Sequence, residues 1–91
     1  MLEIEEVLRD IASIERIIRP YEGSVPEVPE GLEHTAAVRE LLRNPTKANV
    51  EKALERVASA EELAERYRGQ GPADQVLRLI ASIREKLTKA K

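Results

Sequence analysis

Apolar residues in this chain return at steps of three and four, a period that leaves little choice of secondary structure. Ile4, Val7, Leu8, Ile11, Ile14 and Ile18 set the pattern near the start, Val50, Ala53, Leu54, Val57, Ala60, Ala64 and Tyr67 repeat it, and Val76, Ile80, Ile83 and Leu87 complete it. Such spacing places an apolar stripe along a helix, whereas a half-buried strand needs strict alternation. A shorter stretch with Val38, Leu41 and Leu42 adds one more helix. A stripe of this kind must be buried against another element. The expected fold is therefore all-α, a four-helix bundle with helices at about 3–19, 33–43, 45–68 and 72–89. With 91 residues, the whole of 1–91 is expected to form a single domain.

Residues at the expected helix ends agree with this division. Pro20 closes the first helix, because the residue before a proline is pushed out of the α region. Asn44 reads as an N-cap with Pro45 at the first helical position, and Gly69 as a C-terminal cap. Gly71-Pro72 opens the last helix, with Asp74 in its first turn and Lys86, Lys89 and Lys91 at its end, each charge where the helix dipole favours it. On the first helix Glu5 and Arg9, and Glu15 and Arg19, are spaced as i,i+4 pairs in the acid-first order.

The segment from Pro20 to Glu33 reads in triplets, Val25-Pro26-Glu27, Val28-Pro29-Glu30 and Gly31-Leu32-Glu33. Polyproline II has three residues per turn and would set the valines on one side and the glutamates on another, spanning about 35 to 40 Å. The expectation is a long extended crossover over 20–32 that returns the chain along the bundle and makes the first two helices parallel. An acidic segment of this kind also suits a basic partner, although no PxxP spacing with a flanking basic residue favours polyproline recognition.

Composition excludes several function classes. Lys and Arg total 15 against 17 Asp and Glu, a net charge of -2, so a nucleic-acid partner is not expected. Cysteine is absent, which removes disulfides, thiolate nucleophiles and Cys-ligated metals. Tyr21 and Tyr67 are the only aromatic residues, poor material for stacking on bases or flat cofactors. No apolar run approaches the ~18 residues of a bilayer span, so no membrane partner is expected. The acidic start Met1-Leu2-Glu3-Ile4-Glu5-Glu6 is unlike a signal peptide, which points to a cytoplasmic location.

Nothing in the chain assembles a reaction centre. His34 is the single histidine; with Glu30 or Glu33 it falls short of a zinc or di-iron ligand set, and no Glu-x-x-His motif occurs. Ser13, Ser24, Ser59 and Ser82 lie outside any nucleophile-elbow sequence, and Gly69-Gln70-Gly71 lacks the Lys and Ser/Thr of a phosphate loop. Pairs such as Glu61-Glu62, Glu5-Glu6 and Glu51-Glu55 read as solvated faces of amphipathic helices. No catalytic residue, metal ligand or cofactor is expected, and the chain is not read as an enzyme. The remaining functional signal is apolar: Ile17, Leu63, Leu77 and Leu79 fall off the main stripes. They form either a protein interface, for a partner or a homodimer, or the boundary of a bundle in which each helix has two neighbours. One octapeptide also returns, Val7 to Ile14 matching Val76 to Ile83 except for Asp10 against Leu79.

In style the chain resembles a de novo designed α-helical bundle protein. Glu outnumbers Asp fifteen to two. Exposed helix positions are filled with Glu, Arg, Lys and Ala, and Asn44-Pro45-Thr46-Lys47-Ala48-Asn49-Val50 and Gly71-Pro72-Ala73-Asp74 follow capping and propensity rules closely. The resemblance implies a structural scaffold with no natural biochemical activity and no required partner. The alternative is a protein-protein interaction module, a designed binder or small helical adaptor using an apolar helix surface.

Overall fold

A computed structural model describes residues 3–90, the side chain of residue 90 excepted, so Met1, Leu2 and Lys91 lie outside the described residues. Four helices follow in order: α1 (Ile4–Ile18), α2 (Glu27–Leu41), α3 (Lys47–Glu65) and α4 (Gly71–Ala90). A single 3₁₀ turn, Arg19–Tyr21, extends α1, and the described residues contain no strand. Each helix packs on its sequence neighbours and α4 closes back on α1, while among the described residues the diagonal pairs make no close backbone approach. The result is a four-helix bundle with extents of 37 × 20 × 19 Å. Its long dimension is that of a twenty-residue helix, about 30 Å, plus the turns at its ends.

The expected crossover over 20–32 is corrected. Residues 22–26 form a compact turn, in which Ser24 and Val25 both donate to the Tyr21 carbonyl, at 3.0 and 2.9 Å. From Glu27 onward the chain is helical, so the second helix starts six residues earlier than 33. Pro29 sits in the first turn of α2, where a missing N–H costs no helical bond, and Glu27 and Glu30 meet the positive end of the helix dipole. The step from Val25 to Val28 fits a three-residue repeat, but Val28, Thr35, Val38 and Leu42, all buried, continue it at helical spacing. Nor are the first two helices parallel. A β-carbon on Gly31, near the start of α2, would stand 3.6 Å from Ile18 Cδ1 at the end of α1, while Glu15, a turn earlier, reaches Thr35 and Arg39. A short turn can only reverse direction, and successive helices here run antiparallel.

The third helix also starts later than its expected cap. Thr46, in extended conformation, accepts from the Asn49 backbone N–H at 3.1 Å and is the N-cap, while the carbonyl of Asn44 receives the Asn49 side-chain amide at 2.8 Å. At the other end Gly69 has φ of 98°, the left-handed conformation that suits glycine, and its N–H donates to Asp74 Oδ1 at 2.9 Å. No atom lies within 4 Å of where a Gly69 β-carbon would stand. Gly69→Ala should therefore lower stability by about 1 to 2 kcal/mol through backbone strain alone, read as a lower thermal midpoint with unchanged helicity.

The core runs along the bundle axis through Val7, Ile11 and Ile14 of α1, Val38 and Leu42 at the end of α2, Val50, Ala53 and Val57 of α3, and Val76, Ile80, Ile83 and Leu87 of α4. The repeated octapeptide has a structural basis, since α1 and α4 share one seam in opposite directions. Val7 and Val76, Ile11 and Ile80, and Ile14 and Ile83 occupy matching buried positions. At the one difference, Asp10 accepts from Ser82 Oγ at 3.0 Å and Lys86 Nζ at 3.1 Å, while Leu79 rests on the core.

Ion pairs join every seam. Glu15–Arg39 links α1 to α2, Glu27–Arg66 links α2 to the end of α3, Glu61–Arg84 links α3 to α4, and Asp10–Lys86 links α1 to α4. Glu15, expected to pair with Arg19 on its own helix, instead takes Arg39 and the Thr35 hydroxyl from α2. Burial opposes its charge, but the hydrogen bonds from Arg39 and Thr35 outweigh it and hold Glu15 below the usual carboxylate value.

Candidate functional site

Small side chains from three helices fall at one level of the bundle and leave space there. Gly31 of α2, Ala60 and Ala64 of α3, and Ala73 of α4 surround a cavity of about 220 Å³. Its walls are completed by Ile14 and Ile18 of α1, Val25 and Val28, Leu63, and Val76 and Ile80 of α4. Val28 and Leu63 are buried but stand outside the contiguous core, and both line the cavity. The space opens to solvent on one side, so it is a pocket at the surface of the bundle and not an enclosed void.

Polar groups gather at one part of the lining. Tyr67 Oη donates to Glu27 Oε1 at 2.6 Å, and Arg66 Nη1 reaches Glu27 Oε2 at 3.2 Å. The bond from Tyr67 holds the Glu27 carboxyl below its usual range against partial burial, helped by its own backbone N–H and by Arg66. The same bond, with burial and the glutamate charge, pushes the Tyr67 hydroxyl up. Glu27 is charged and Tyr67 neutral at pH 7, so the pair presents oxygen lone pairs to the cavity. Thr35 also lines it, its single proton shared between Glu15 Oε2 at 2.8 Å and the Leu32 carbonyl at 3.0 Å. Tyr21, 41% exposed, stands at the rim.

The four off-stripe residues differ in burial. Leu63 is buried and lines the cavity; Ile17 and Leu79 are half-buried against the core; Leu77 is half-buried on α4. His34 lies in the middle of α2, its side chain 12% exposed. Its Nδ1 is 3.3 Å from Arg56 Nη1, while Nε2 is buried without a hydrogen bond, 3.7 Å from Glu30 Oε2. Ser82 and Ser24 donate to Asp10 and to the Tyr21 carbonyl, so their hydroxyls are directed away from His34. Among the described residues no three His, Asp or Glu side chains are grouped to hold a metal ion, and no helix is long and apolar enough to cross a membrane.

Sequence reasoning marked Leu63 as unusual and Tyr67 as part of a stripe, but not the cavity between them. The available signal was the alternation of Ala60, Ala64 and Ala73 with large residues, which becomes a hole only when the helices are aligned. Comparison with protein-family models, with curated proteins and with solved structures finds no match to this chain.

Proposed function

We propose that the chain is a structural scaffold, a helical bundle of designed type that supports its own fold and performs no reaction. The observation that carries this reading is the closed ring of seams, each bridged by an ion pair, with Arg66 just past the end of α3 serving the α2–α3 seam. Glu15 and Arg39, Glu61 and Arg84, and Asp10 and Lys86 are paired with one another across the seams, and Leu63 is buried. A second reading, a protein-protein interaction module, draws on the exposed ring of Tyr21 and on half-buried Leu77, which is not part of the core packing.

Guanidinium unfolding followed by circular dichroism at two protein concentrations separates the two. For the scaffold, the midpoint is the same at both concentrations and lies above about 5 M. A midpoint that rises with concentration would replace the scaffold by the interaction module, since association would then complete the fold.

A further inference from the structure

We propose that the cavity at the α2 N-terminal end of the bundle binds a small arylalkyl ammonium ion, its apolar body among the isoleucines and alanines and its ammonium group at Glu27 and Tyr67. Size comes first. In proportion to a ~150 Å³ apolar cavity that admits the six carbons of benzene, a space of 220 Å³ takes about nine heavy atoms. The lining then sets the chemistry. Ile14, Ile18, Val28, Leu63, Val76 and Ile80 suit a hydrocarbon or aromatic body.

The polar end of the ligand that sits at Glu27 must be a donor, because the hydroxyl protons of Tyr67 and Thr35 are engaged there, while the other lining donors, Gln70 and Tyr21, belong to the rest of the wall. Tyr67 donates its hydroxyl proton in a hydrogen bond to Glu27, and Thr35 donates its own to Glu15 or Leu32. Both oxygens keep lone pairs, and the Glu27 carboxylate keeps more than Tyr67 and Arg66 occupy. At Glu27 an acceptor-only group would meet oxygen against oxygen. Charge completes the match: the charged side chain in the lining is the Glu27 carboxylate. The nearest competing cation, Arg66, is 61% exposed and holds Glu27 through one 3.2 Å contact, so it can swing into water. Glu27 itself is 21% exposed, which leaves the ammonium partly hydrated and lowers the cost of bringing it there. This site is independent of the scaffold reading, since a monomeric or an associating bundle would contain it equally.

The test is calorimetric titration of the full chain with phenethylammonium, which has nine heavy atoms, and with phenylacetate, a similar body of opposite charge. Phenethylammonium should saturate one site with a Kd of about 0.1 to 1 mM, and phenylacetate should bind at least about tenfold more weakly. Ala64→Leu, which places three more carbons in the cavity, should weaken phenethylammonium by about tenfold or more with far-ultraviolet dichroism unchanged. If that variant loses its fold, Glu27→Gln serves instead: it should remove the preference for the cation. Equal affinity for the two ions would overturn the proposal, as would undiminished binding in the folded variants or no saturable heat up to about 10 mM. Self-association that filling the cavity abolishes, in place of amine binding, would overturn it too and put a second copy of the chain there.

Discussion

Replacing Ile11 with alanine lowers the unfolding free energy by about 2 to 5 kcal/mol, the largest single-residue effect expected in this protein. Ile11 is 1% exposed and sits midway along α1. It borders a small void of about 20 Å³ also lined by Ile14, Val38, Val57, Ile80 and Ile83. Removing three carbons there enlarges a gap that the four surrounding helices can close only by moving together, so relaxation recovers little of the lost contact. Domains of this length are held by about 5 to 14 kcal/mol at ~0.05 to 0.15 kcal/mol per residue, so the loss is a large share of the whole. In denaturant the midpoint should fall with an unchanged slope. An effect below about 1 kcal/mol would show that the centre of the bundle is loosely packed.

Removal of the Glu15 side chain comes second, at about 1 to 3 kcal/mol near neutral pH. Glu15→Ala takes the acceptor from both Arg39 and Thr35. Arg39 can return to water, but the Thr35 residue is buried and keeps only the Leu32 carbonyl. The pH dependence identifies the cause. Because the folded Glu15 carboxyl lies below its ordinary value of 4.5, the bridge contributes fully above that pH and is lost as pH falls through the folded value. The gap in stability between the parent chain and Glu15→Ala should therefore narrow on acidification below about pH 4.5, measured as paired denaturant curves at neutral and acid pH. A gap that stays constant with pH would mean that the loss comes from packing and not from charge.

Much of this architecture is legible from the residues alone. The stripes on α1, α3 and α4 are buried or half-buried where their spacing places them, whereas Gly69, expected to cap the third helix, takes its positive φ in the turn beyond α3, whose C-cap is Arg66. The onset of α2 is not legible in the same way. Two prolines and a three-residue spacing favour an extended reading, but the proline inside the helix falls in its first turn, where it does no harm. Choosing between the two requires knowing whether Val28 is buried with Val38 and Leu42, which is a property of the neighbours.

The same distinction holds for partners and for the cavity. Spacing along a helix determines which residues share a face, because 3.6 residues per turn is a local property of the backbone. From that alone follow the helical class and the apolar stripes. Which face meets which neighbour depends on how separate helices align, and there local rules end. Glu15 has an acceptable partner four residues away in Arg19, yet the antiparallel return of α2 presents Arg39 with Thr35 beside it, and three hydrogen bonds at a part-buried site outweigh one exposed pair. Gly31, Ala60, Ala64 and Ala73 are unremarkable helix residues until packing brings them to one level. Only then does the space their missing side chains leave become a single cavity with Glu27 and Tyr67 in its wall.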